Sequence, residues 1–217
     1  MTLLDFARGP AMEWSLIILV VGVIWRLIGT LLLLRKKDLS KPRVESTTVN
    51  AARTVVNRFW PKAPFVAQIR LTLLLSYAMH IGLFVVIFLL PQHITLIDDI
   101  TGLSWPGLSG GVVMFFGTIT LASMVALLIR RMTNPVLKMI SNADDYFSWF
   151  VTAAPLLTGM MAYAHIGGPY ETILAIHLLT VELLFIWFPF GKLMHAILFI
   201  PSRAQLGSSF GRRGVEI

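Results

Sequence analysis

The chain has 217 residues, of which 56% are apolar and only 13% charged, and it contains no cysteine. That balance is too apolar for a soluble domain and puts the chain in a bilayer; the missing cysteines exclude disulfides, thiolate-held iron-sulfur clusters and a covalently attached haem in this subunit. A net charge of +7 and a pI near 10.1 would suit nucleic acid, but the basic residues line one membrane face, so anionic lipid headgroups or an acidic docking partner are expected instead.

Five apolar runs follow in chain order, 11–34, 71–90, 110–129, 146–164 and 172–200, each long enough to cross the hydrocarbon core. They predict an all-α integral membrane protein of one membrane domain. The first run ends in charges without a small-residue cleavage site and is read as a retained span, not a signal peptide. The segment 35–70 is polar and basic, and 91–109 carries Asp98, Asp99, Pro91 and Pro106. Asn142, Asp144 and Asp145 precede the fourth run, where side-chain oxygens and negative charge suit a helix start.

Charge asymmetry orients the spans. Arg35, Lys36, Lys37, Lys41, Arg43, Arg53, Arg58, Lys62 and Arg70 fall between runs one and two, Arg130, Arg131 and Lys138 between three and four, and Arg203, Arg212 and Arg213 after five; the other side has only Arg8. The amino terminus is therefore expected outside and the carboxyl terminus in the cytoplasm.

Five histidines, His80, His93, His165, His177 and His195, lie in or at the ends of predicted spans. Imidazole there either joins helices by hydrogen bonds or ligates a metal, haem iron being a common choice. His177 and His195 are 18 residues apart, five turns of an uninterrupted helix, which would turn both rings to one face about 27 Å apart. His80 and His93 are 13 apart, an offset of about 220°, so they share a face only if the helix distorts; Pro91 supplies a cause. Since run two goes outward and run five inward, His80 should meet His195 near the inner side and His93 should meet His177 near the outer side, giving two bis-histidine haems.

Other charges in the spans have two readings each. Arg26, Arg130 and Arg131 either snorkel to the interface or pair with haem propionates. Lys192, three residues before His195, can do the same. Glu182, near the middle of run five and off the histidine face, is expected to hydrogen-bond a neighbouring span, with proton transfer as the second reading.

At these residues the chain resembles the gamma subunit of membrane-bound respiratory nitrate reductase and related cytochrome b subunits of sulfur-metabolising complexes, over most of runs two to five. The motif is His177-Leu178-Leu179 followed by Leu184-Phe185-Ile186-Trp187-Phe188-Pro189-Phe190-Gly191-Lys192-Leu193-Met194-His195, with His80-Ile81-Gly82-Leu83 upstream and Arg130-Arg131 at the family's basic cluster. The resemblance implies that His80, His177 and His195 ligate haem. It also implies two haems b, a quinone or quinol as exchangeable substrate, and a prokaryotic inner membrane. The implied partners are a cytoplasmic iron-sulfur subunit and a catalytic subunit, with no complete substrate reaction on this chain alone. The family's fourth ligand would fall at Leu90. His93 is the favoured substitute and His165 its rival, the latter also a candidate for hydrogen-bonding a quinone. Two other classes stay open: a histidine-lined metal-ion transporter, and a cofactor-free membrane assembly anchor.

Overall fold

A computed structural model describes residues 1–33, 39, 41–44 and 46–215; Leu34, Arg35, Lys36 and Lys37 lie outside the described residues. Ten α-helices occur among the described residues, and no strand. A short α1 (Leu3–Phe6) runs through a π turn (Ala7–Ala11) into α2 (Met12–Leu31). Then come α3 (Thr47–Asn57), α4 (Ala63–Leu89), α5 (Pro91–Thr101), α6 (Gly110–Thr133), α7 (Pro135–Ile140) and α8 (Ala143–Ala164). The chain closes with α9 (Tyr170–Trp187), a 3-10 turn (Lys192–Met194) and α10 (His195–Arg212). Five helices are long and apolar enough to cross a membrane: Leu3–Leu31, α4, α6, α8 and α9.

The fifth helix differs from the continuous run read through 172–200. It stops at Trp187, Phe190 and Gly191 both donate to the Trp187 carbonyl at 3.0 Å, and Gly191 is extended (φ −92°, ψ −176°). Pro189 is the physical reason, because it has no N–H for the Phe185 carbonyl one turn back and its ring crowds that turn. Hydropathy carries on through the break, so the run looks unbroken in sequence. α4 also starts earlier than the run at 71, taking in eight residues of the basic segment from Ala63, with Pro64 in its first turn, where a missing N–H costs nothing.

The end of α4 is fully accounted for. Leu90 is extended (φ −79°, ψ 124°) and Pro91 opens α5, so the last carbonyls of α4 need partners from further along the chain. The Trp105 indole donates to the Phe88 carbonyl at 2.6 Å and the Leu108 N–H to the Leu89 carbonyl at 2.9 Å. The Val86 carbonyl receives His93 Nδ1 at 2.8 Å.

α4 packs on α6, α6 on α8, α8 on α9 and α9 on α2, while α3 and α10 pair with each other. The buried cluster Met124, Ala153 and Leu156, with Met79, Val86 and Trp149 against it, joins α4, α6 and α8. Small residues set the spacing, a device common in bundles of membrane-spanning helices. A Cβ at Gly82 would overlap Thr120 Oγ1 across α4 and α6, and one at Gly22 would come within 2.6 Å of Pro189 Cγ. Gly207 and Gly211 likewise admit Thr54 and Asn50 between α10 and α3. α4 and α9 do not form a close-packed pair among the described residues.

Candidate functional site

Although α4 and α9 stand apart, they and the helices that continue them carry four histidines in two facing pairs. His80 on α4 and His195 at the start of α10 have ring centroids 6.2 Å apart with planes crossed at 81°. His93 in the first turn of α5 and His177 on α9 are also 6.2 Å apart, with planes only 16° from parallel. These are the two pairs that the opposed directions of runs two and five predict. The route differs, because His177 and His195 are on separate helices and not five turns apart on one. Distortion at Pro91 is present as a complete break, which lets His93 turn toward His177.

Each ring is held by the same edge. His80 Nδ1 lies 2.7 Å from the Ser76 carbonyl, His93 Nδ1 2.8 Å from the Val86 carbonyl and His195 Nδ1 2.7 Å from the Lys192 carbonyl. A carbonyl oxygen can only accept, so these Nδ1 atoms carry the proton and Nε2 keeps its lone pair. His177 Nδ1 is 3.4 Å from Thr158 Oγ1, whose own proton goes to the Ala154 carbonyl at 2.8 Å, and it also lies beside the Pro155 carbonyl. The His177 ring sits over Gly159, where a Cβ would come within 2.8 Å of Cε1.

The Ile87 carbonyl is the one whose helical donor would be Pro91, and it also interacts with the His93 ring. Pro91 therefore breaks α4 and frees an acceptor for the histidine that follows. Burial holds the His93 imidazole below its usual pKa, against the raising effect of the two carbonyls.

Imidazoles in this state suit a metal. Two nitrogens on opposite sides of one ion, each about 2 Å from it, put the ring centroids roughly 6 Å apart. Ligating histidines ordinarily donate their second N–H to a carbonyl or similar acceptor, the arrangement seen at His80, His93 and His195. Two imidazole nitrogens at each place are donors that could hold a haem iron.

The remaining residues singled out in the sequence are placed elsewhere. His165 caps the end of α8 in the left-handed region (φ 55°), and its ring stacks on Tyr170 at 4.7 Å. Arg131 pairs with Asp145 at 3.1 Å and donates to Ser141 Oγ at 2.8 Å. Arg130 borders an open groove of about 660 Å³ with Leu71, Leu75, Ala126 and Ile129, and its Nε is buried without a hydrogen-bond partner. Leu71 and Leu75 lie roughly 180° and 140° round α4 from His80, so this groove is on the far side of the helix from the histidines. Arg26 is exposed on α2 and makes no ion pair among the described residues. Glu182 is 4% exposed on α9, and its Oε1 has no hydrogen-bond partner; the expected bond to a neighbouring span is not made.

Sequence reasoning passed over two groups that shape the site. One is the set of backbone carbonyls that fix the ring nitrogens, for which Pro91 was the available signal. The other is the partner that the acidic start of α8 takes from beyond α9, Lys192. Asn142 and Asp145 form a reciprocal cap, as Asn142 ahead of an acidic pair implies, but Asp145 also binds Lys192 Nζ at 2.5 Å.

No protein-family profile matches the chain. A curated protein of Nitratidesulfovibrio vulgaris strain Hildenborough, described only as "Protein", is 34% identical to it over 139 residues. That match covers 64% of this chain, and the chain spans 61% of the relative's length.

Proposed function

We propose that this chain is a dihaem cytochrome b subunit of a prokaryotic inner membrane. It would carry electrons between the quinone pool and a cytoplasmic iron-sulfur protein attached to a catalytic subunit, as the resemblance to nitrate reductase gamma subunits implies. One observation carries the reading: two histidine pairs with ring centroids 6.2 Å apart, facing across two helices that are not packed together. His80 and His195 would hold the inner haem, His93 and His177 the outer one. Bound there, haem supplies reversible one-electron transfer.

The chain's own residues do the rest. The Ser76, Val86 and Lys192 carbonyls keep each Nδ1 protonated and each Nε2 available. α4 continues from His80 to Leu89, about 14 Å at 1.5 Å per residue, before the break that precedes His93, so the two sites lie at different depths. Positive charge at the ends of α4 and α6 and on α10 favours the cytoplasm on the side of His195, and gives an acidic partner a surface to approach. Quinone exchange would occur on the other side, near His93, with protons exchanged at that face. Direction of electron flow depends on the partner.

The test is the visible spectrum of the purified, membrane-extracted protein. Expected is a sharp reduced b-type band at two haems per chain, falling to one in His93→Ala and staying at two in His165→Ala. A fully assembled protein without such a band would sink the proposal.

A further inference from the structure

Lys192 uses every polar group it has, and each leads to something different. Its N–H donates to Asp144 Oδ1 at 3.2 Å. Its Nζ bonds Asp145 Oδ2 at 2.5 Å and Asn142 Oδ1 at 3.2 Å. Its carbonyl receives His195 Nδ1 at 2.7 Å. The carboxylates on the far side are themselves fixed. Asp144 accepts from Ser148 Oγ at 2.6 Å, which in turn accepts from the Trp187 indole at 3.0 Å; Asp145 caps α8 and pairs with Arg131 of α6 at 3.1 Å.

We infer that Lys192 is a positioning residue for His195. It braces the 3-10 turn against the capping carboxylates of α8, so that its carbonyl holds the His195 ring crossed to His80. This rests on the haem reading above and concerns only this chain's side of that site. The brace is needed because the helix break at Pro189 removes the support a continuous α9 would give. His195 also begins its helix, so no carbonyl one turn earlier on a helix is available to it, unlike His80 with Ser76. The outer pair has no counterpart: its rings are 16° from parallel and are held by the Val86 carbonyl and Thr158.

Ring-plane angle has its own spectroscopic signature. Crossed axial imidazoles leave the two iron d orbitals of π symmetry nearly equal in energy and raise the largest g value of an oxidised low-spin haem; parallel rings split those orbitals and lower it. At 81° the inner site belongs to the first kind and at 16° the outer site to the second. A through-space role for the ammonium, such as pairing with a propionate, would leave the ring angle alone.

The experiment is electron paramagnetic resonance on the oxidised whole chain, comparing wild type, Lys192→Met and Lys192→Arg at equal haem content per protein. Expected in the wild type are two low-spin signals. In Lys192→Met the one with the larger g value moves toward the other or broadens, the second signal does not change, and Lys192→Arg restores the first. Loss of the larger-g signal together with half the haem is the same result carried further, since second-shell changes at metal sites cost about 10–100-fold in affinity. Unchanged signals in Lys192→Met, with both haems bound, overturn the inference, as does loss of both haems together. Wild-type protein without any b-type band removes the haem reading, and this assignment with it.

Discussion

At the scale of single residues, what matters is which nitrogen of each histidine is taken. Three Nδ1 atoms face backbone carbonyls at 2.7–2.8 Å, and that leaves the Nε2 atoms as the reactive edges. His165 has no such arrangement. It occupies the position after the α8 end where glycine is usual, with the His165 N–H bonded to the Ala162 carbonyl and the Ile166 N–H to the Met161 carbonyl. A left-handed conformation costs a residue with a side chain about 1 kcal/mol. Replacing it with glycine therefore has a clear expected outcome: His165→Gly raises the melting temperature slightly and leaves both haem bands at full height in a reduced-minus-oxidised spectrum. Loss of half the haem would make His165 a ligand and reject the assignment of His93. In the sequence, His93 and His165 were separable only by weighing a three-residue displacement against a position on another span. The structure places them in different backbone settings, His93 after a helix break and His165 in a left-handed cap, which histidine spacing does not encode.

At the scale of elements, two prolines do most of the shaping. Pro91 was legible as a distortion, because the 220° offset of His80 and His93 demanded one. Pro189 stood inside the strongest motif of the chain but was read through, since apolar residues continue on both sides and turn counting presumes an unbroken helix. Restoring continuity at the first break gives a direct test. In Pro91→Ala the Ile87 carbonyl regains a helical N–H donor, α4 runs on into α5, and His93 turns away from His177. Haem per chain should fall from two to one, with the inner spectrum retained; a stoichiometry that stays at two would show that the break does not aim His93.

For the molecule as a whole, both histidine pairs depend on how α4 is seated on α6, because His80 lies on α4 and His93 directly beyond its end. Gly82 lies in that contact, where a Cβ would overlap Thr120 Oγ1. A branched side chain there must push the helices apart, and in lipid there is no water-driven term to pull them back, so association rests on packing. Gly82→Val should weaken both sites together, read as simultaneous loss of the two haem bands at a lower temperature than in wild type. Selective loss of one would separate the sites mechanically. The five apolar helices were legible from composition, since length and hydropathy suffice for them. Which helices touch was not legible, because apolar runs facing lipid and those facing protein are alike in sequence; only 11% of the most apolar window is buried in α4 against 33% in α8.

The gap between α4 and α9 works like the opening of a caliper. Among the described residues α4 and α9 are not a close-packed pair, and their spacing is carried through α6 and α8, where Met124, Ala153 and Leu156 pack together. A change of shape among those three residues would be magnified along both arms before it reached the histidines. Residues that no ligand would touch thus hold the gauge of both sites, and drift in that gauge is tolerable only if matching changes arise at the hinge.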